Sequence, residues 1–216
     1  MLLVRYSRLA SAAYIPHLDL MRAFQRTIRR AGLPIGMSEG FNPHMRLFFA
    51  APIPVGLETL CEYVTVDSAT APAVFLERFN AVSVPGIRAV AATATATDPN
   101  VARLCNACEY AFTFAAPADA AAVAALKAAP LILTHRAKER GMVTEDMSER
   151  LYAVTAEGAR VTALVSFGQS NLRADVLAAR LSEVLGQPCT GTIKLMLYHR
   201  VPDGALKAIE QLVGGA

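Results

Sequence analysis

The residues best suited to chemistry lie close together near the front of the chain. The segment HLDLMRAFQRTIRRAGLPIGMSEGFNPHMRLFF, residues 17 to 49, holds His17 and His44, two of the chain's four histidines, together with Arg22, Arg26, Arg29, Arg30 and Arg46. Two imidazoles that titrate near neutral pH could serve as acid and base, as in metal-independent RNA cleavage, or bind a metal if acidic or thiol ligands joined them. No such ligands stand at a recognisable spacing, so no metal and no cofactor are expected on this chain. Arginine's planar fork of five donors suits phosphate, carboxylate and base edges better than a lysine point charge does. Residues 1 to 50 carry Arg5, Arg8, Arg22, Arg26, Arg29, Arg30 and Arg46 against Asp19 and Glu39, a local excess of five in a chain whose net charge is +3. The chain as a whole is therefore not marked as a nucleic-acid binder, but its front is cationic.

Periodicity places most of these arginines on one helix. On a wheel of about 100° per residue, Leu20, Met21, Phe24, Ile28 and Ala31 gather on one side, and Arg22, Arg26, Arg29 and Arg30 gather opposite. Asp19 is the only acidic residue in the helix, so the like charges at 22/26, 26/29 and 26/30 repel by about 0.2–0.5 kcal/mol per pair. A bound polyanion would offset that repulsion, because each neutralised phosphate releases counterions. The competing reading gives these cations partners elsewhere in the chain, such as Glu58, Glu62 or Glu77.

The loop Gly36-Met37-Ser38-Glu39-Gly40-Phe41-Asn42-Pro43-His44 completes the constellation. Its glycines permit positive φ or a close backbone approach, and Ser38 and Asn42 can bond backbone or ligand. Phe41 either plugs the core or stacks on a base. His17 follows Pro16 and His44 follows Pro43; each, taken singly, also suits a capping or buried hydrogen-bonding role. The expected anion-binding set is Arg5, Arg22, Arg26, Arg29, Arg30 and Arg46 with Ser38, Phe41, Asn42 and His44. Two other readings stay open: a ribonuclease with His17 and His44 as acid and base, and an arginine face that docks a protein.

The elements that must position this set follow from the same patterning. Leu2, Val4 and Tyr6 alternate as in a half-buried strand, and the arginine helix spans 17 to 31, stopped by Gly32 with Pro34 beyond. Strands are predicted at about 46 to 53 and 61 to 67, a helix from Pro72 with Phe75, Leu76 and Phe79 on its apolar face, and a strand over 87 to 95. The second half gives a strand at 109 to 115, a helix at 117 to 129, a strand at 131 to 136 and a polar crossing at 137 to 150. A hairpin follows at 151 to 156 and 160 to 167, turning at Glu157-Gly158. A helix carrying Leu177, Leu181, Val184 and Leu185 and a last strand with Ile193, Leu195 and Leu197 complete it. The fold class is α+β, read as two tandem ferredoxin-like (β-α-β-β-α-β) domains, 1–98 and 99–216, joined near Asp98-Pro99-Asn100, the second ending in a short C-terminal helix or tail. The alternative is one continuous α+β domain with a larger mixed sheet.

Four cysteines are too few for a disulfide framework in a chain of 216 residues, no leader with a long apolar core is expected, and the protein reads as cytoplasmic. Cys105-Asn106-Ala107-Cys108 has redox or zinc spacing without a second pair, and reads as two small apolar residues entering a strand. The alanine-rich stretch at 115 to 130 is broken by Pro117, Asp119 and Lys127, so no membrane span is expected.

Five runs together carry a resemblance: Arg5-Tyr6-Ser7-Arg8, His17-Leu18-Asp19-Leu20-Met21-Arg22, Arg29-Arg30-Ala31-Gly32-Leu33-Pro34, Ser38-Glu39-Gly40-Phe41-Asn42-Pro43-His44 and Pro54-Val55-Gly56. With these the chain resembles the bacterial radical-SAM-linked family of unknown function. That resemblance implies a partner, a cobalamin-binding radical S-adenosylmethionine protein, and RNA (tRNA or rRNA) as a substrate, with this chain as an accessory that binds or presents it. The family's basic segment and Asp-centred motif correspond only loosely to Arg136, Lys138 and Arg140 followed by Glu145-Asp146. No C-x-x-x-C-x-x-C occurs, so the iron-sulfur cluster of that chemistry is not expected here. At the level of fold alone, a tandem ferredoxin-like chain with a basic helix is also similar to the CRISPR repeat-processing endoribonucleases.

Overall fold

Strands and helices interleave along the chain in the computed structural model, which describes residues 1–137 and 141–213. The first half holds β1 (Leu2–Arg8), α1 (His17–Arg30), β2 (Leu47–Phe49), β3 (Glu58–Val66), α2 (Pro72–Ala81), β4 (Ile87–Ala94) and α3 (Val101–Leu104). There follow β5 (Ala107–Phe114), α4 (Ala120–Ala128), β6 (Ile132–Ala137), β7 (Gly141–Asp146), β8 (Leu151–Glu157) and β9 (Arg160–Ser166). The chain ends in α5 (Ala174–Leu185), β10 (Cys189–Arg200), β11 (Leu206–Ala208) and α6 (Ile209–Val213). This is an α+β architecture, and it divides into two units, Met1–Cys105 with Met196–Ala216, and Asn106–Leu195. The sequence reading put the joint at Asp98-Pro99-Asn100. In the structure that stretch stays with the first unit, because Thr65 of β3 donates to the Asp98 carboxylate at 2.9 Å and Val101 of α3 is buried.

In the first unit β1 lies between β4 and β3, antiparallel to both, with Leu2 opposite Val66 on one side and Ala94 on the other. Leu2, Val4 and Tyr6 of β1 and Val64 and Val66 of β3 pack with Leu20, Phe24 and Ile28 of α1 and Phe75 and Phe79 of α2. Edge-to-face rings tie the layer together, with centroids 4.8 Å apart for Tyr6 and Phe24 and 5.2 Å for Phe24 and Phe49. Successive side chains on a strand point to opposite faces, so Arg5, between Val4 and Tyr6, is turned away from α1. There its Nε meets Glu210 Oε1 of α6 at 2.9 Å, and Tyr63 donates its hydroxyl to Glu210 Oε2 at 2.9 Å. Burial pushes the Tyr63 hydroxyl well above the usual tyrosine range, so it remains a donor.

The strand predicted over 46 to 53 is shorter, Leu47–Phe49, and its partner starts earlier, at Glu58. Pro52 and Pro54 have no N–H to offer a ladder. The same edge of β3 is also shared: β2 takes Val64 to Val66, and β10 is the other neighbour on that side.

In the second unit the strand order is β10-β5-β9-β8. β8 and β9 form the predicted hairpin, with Glu157 opposite Arg160 and Gly158 at φ +56°. The helix predicted over 117 to 129 begins at Ala120, because Asp119 Oδ1 caps it by accepting from the N–H groups of Ala121 and Ala122. The segment read as a polar crossing contains β7, paired with β6 in a separate two-stranded ladder from Ile132–Asp146 to Ala137–Gly141. Its cross-strand contacts are polar, Thr134 with Thr144 at 2.7 Å and His135 Nε2 with Glu145 Oε1 at 2.7 Å, so hydrophobic alternation gave no sign of it. Lys138 and Arg140 lie outside the described residues. Among the described residues no helix is long and apolar enough to cross a membrane.

Candidate functional site

α1 forms where the periodicity requires it. Leu20, Ala23, Phe24, Thr27 and Ile28 are buried, and Arg22, Arg26, Arg29 and Arg30 are exposed. Gly32 at φ +60° ends the helix: its N–H reaches Arg29 O, and the N–H of the buried Leu33 reaches Ile28 O. The four helix arginines are not equivalent. Arg22 pairs with Asp19 at 2.9 Å one turn back, and Arg30 donates to Val82 O at 2.8 Å and Thr27 Oγ1 at 3.1 Å. Among the described residues no carboxylate pairs with Arg26 or Arg29. Glu58, one of the carboxylates considered for them, instead accepts from the N–H of Ala10 at 2.6 Å.

Arg46 sits at the root of the loop. Its Nη1 meets Asp67 Oδ2 at 3.0 Å, its N–H donates to Gly36 O, and its carbonyl accepts from the N–H of Asp67. The N–H of Gly36 in turn donates to Asp67 O at 2.7 Å. A Cβ on Gly36 would stand 2.2 Å from Asp67 Oδ2, so the close approach, not backbone freedom, explains this glycine. Above the root, Met37 bridges Met45, and Ser38 and His44 close the loop. The N–H of Ser38 donates to His44 O at 2.8 Å and that of His44 to Ser38 Oγ at 3.0 Å; Ser38 Oγ and His44 Nδ1 are 2.8 Å apart. Glu39 to Pro43 are left exposed at the tip, Phe41 at 111% of its reference area. Phe41 therefore does not plug the core.

His17 stands at the first position of α1 with its ring edge-on to Phe49, centroids 5.6 Å apart, and its Nδ1 buried without a hydrogen bond. Among the described residues no hydrogen bond or ring contact joins His17 to His44. Of the expected set, the structure thus gathers Ser38, Phe41, Asn42 and His44 on one loop with Arg46 at its root, keeps Arg22, Arg26, Arg29 and Arg30 along one helix, and turns Arg5 to the other face of the sheet. A groove lined by Leu76, Glu77, Asn80 and Arg88 shares no residue with this set.

Arg8 counts toward the cationic front but lies outside the expected anion-binding set, and the structure gives it an internal role. It is wholly buried and donates to Ile15 O at 3.1 Å, Pro54 O at 2.7 Å and Leu57 O at 2.9 Å, and burial lowers its pKa. It clamps the Pro54-Val55-Gly56 turn, whose Gly56, at φ +87°, donates its N–H to Ala13 O at 2.8 Å. Asp67 was also missed, and nothing in the sequence pointed to it. Cys105 and Cys108 are buried, and burial pushes the Cys61 thiol up to about 11, outside the reactive range.

The family model of DUF2344, uncharacterised proteins conserved in bacteria, matches residues 1–180, and the chain belongs to that family. No curated protein matches it.

Proposed function

Taking that family membership as the premise, we propose that the chain is a non-catalytic accessory that holds an anionic substrate, RNA above all, on the exposed face of α1 and the loop after it. The enzyme it would serve is a cobalamin-binding radical S-adenosylmethionine protein, a partner that rests on the resemblance of the HLDLMR and SEGFNPH runs. The observation that carries the reading is the pair Arg26 and Arg29, exposed on one helix face and met by no carboxylate among the described residues. Unpaired guanidiniums four and three residues from like charges are a cost to the helix that phosphate oxygens would relieve. The strand orders support a ferredoxin-like reading of both units, with β6 and β7 as an insertion in the second.

The test is RNA affinity by fluorescence anisotropy over a salt series. Log affinity should fall with log salt with a slope of several, and replacing Arg26 and Arg29 by Ala should reduce that slope by roughly 1.4 for a single strand. Replacing His17 and His44 by Ala should leave affinity largely intact and expose no loss of cleavage; a cleavage activity abolished by that pair would establish the ribonuclease instead. One observation favours the protein-docking alternative: Leu18, 64% exposed, shares this helix face with the arginines. A salt-insensitive RNA interaction, or none, would favour docking.

A further inference from the structure

We infer that the RNA held by this chain is single-stranded, with an unpaired base stacked on Phe41. The inference rests on the RNA-binding reading above and adds what kind of RNA the site accepts. Phe41 is a full aromatic ring in water, touching no other ring of the described chain, at the tip of a loop whose lower rungs are fixed. The Met37–Met45 bridge and the Ser38–His44 bonds join the two sides of the loop below its tip, and Gly40, at φ +109°, makes a turn that residues with a side chain rarely adopt. A ring held out in this way meets only what arrives from outside.

What can arrive is limited by the neighbours. Glu39, exposed two residues before Phe41, repels a phosphate, whereas the amino groups of a base can donate to its carboxylate. His44 adds a ring whose Nδ1 is engaged by Ser38 and whose Nε2 has no partner among the described residues. The tip therefore suits a base and not the backbone, while the helix suits the backbone and not a base. In a duplex both faces of every internal base are covered by its stacked neighbours, so an aromatic side chain finds a free face only on an unpaired nucleotide. Arg26 and Arg29 bind phosphates in either form and do not discriminate; Phe41 does.

The chain contains no tryptophan, so Phe41→Trp places a single reporter at a position whose side chain supports nothing inside the fold. The variant is titrated with a single-stranded RNA of about 12 nucleotides, close to the site sizes of stacking binders, and with a duplex of the same length. Tryptophan emission and anisotropy of labelled RNA are read together. The single strand should quench the emission and the duplex should not. Phe41→Ala should weaken single-strand binding roughly ten-fold or more, with the salt slope and the duplex affinity unchanged, and Phe41→Tyr should restore it. RNA binding that needs Arg26 and Arg29 but shows no quenching and no loss in Phe41→Ala overturns this inference and leaves the RNA-binding reading standing. No RNA binding by the wild-type chain overturns both.

Discussion

The turn at Pro54–Leu57 is held from beneath: buried Arg8 donates to carbonyls on both sides of it, and Gly56 donates to Ala13 O. The loop from Gly36 to Arg46 is held only at its root and lower rungs, by Asp67 and by the Ser38–His44 bonds, and above them the side chains meet water. Both loops combine glycine and proline, and both belong to runs that resemble the same family. The difference lies in where their polar partners come from. In the first every partner is internal, and an arginine gives up solvation to supply them. In the second the internal partners stop two rungs short of the tip, which leaves a fixed pedestal and a free head. Which face of which element carries a guanidinium decides whether it is buried as a clamp, as Arg8 is, or exposed with no carboxylate among the described residues, as Arg26 and Arg29 are.

The comparison breaks first at Arg8. Arg8→Met keeps much of the apolar stem but removes all three donors, leaving the carbonyls of Ile15, Pro54 and Leu57 without them. Stability measured by urea unfolding should fall by about 3–5 kcal/mol. Arg8→Lys should recover little of it, because a single ammonium cannot span three carbonyls as the fork does. A loss below about 1 kcal/mol would mean the turn stands without its clamp.

The root of the second loop comes next. Gly36→Ala should cost about 1–3 kcal/mol by overpacking, since the new methyl meets the Asp67 carboxylate. Adding Asp67→Ala clears the space, so the double variant should be less destabilised than the sum of the two single ones. Strict additivity would place the origin of the loss elsewhere. Ser38→Ala, one step higher, removes the acceptor for the N–H of His44 and the contact with its ring, and leaves the Ser38 N–H to His44 O bond in place. It should lower stability by only about 1 kcal/mol, while amide hydrogen exchange across residues 39 to 44 speeds up. Unchanged exchange there would show that the side-chain brace does not hold the tip.

How much of this was legible follows from the range of each interaction. α1 was readable, since burial of Leu20, Phe24 and Ile28 and the stop at Gly32 depend on neighbours within a few residues. The β8–β9 hairpin was readable for the same reason. The fates of Arg5, Arg8 and Arg46 were not, because their partners, Glu210, Pro54 with Leu57, and Asp67, are set by strand pairing and by the face each side chain takes. A charge count sees seven like cations at the front of the chain; the sheet sends one to its far face and buries another. β7 escaped because its ladder is polar, and β2 was overdrawn because Phe48 and Phe49 look like the start of a longer strand, while Pro52, Pro54 and the shared edge of β3 stop it.

No loss of stability is expected where the largest effect on binding is proposed. Arg26 lies four residues from both Arg22 and Arg30 and three from Arg29, so replacing it by Ala removes three like-charge pairs and puts the best helix former in its place. Stability should rise, by about 0.6–1.5 kcal/mol if the three pairs add, and by less as salt screens them. Arg29 is in the last turn, where a cation is favoured by the helix dipole, so Arg29→Ala should gain less than Arg26→Ala does. A clamp residue such as Arg8 must fail this pattern, because its removal costs stability whatever ligand is present. A residue whose loss helps or spares the fold yet lowers the salt slope for RNA is kept for something outside the chain. If Arg26→Ala instead lowers stability by more than about 1 kcal/mol, that guanidinium belongs with Arg8 as part of the scaffold, and the two classes of arginine merge into one.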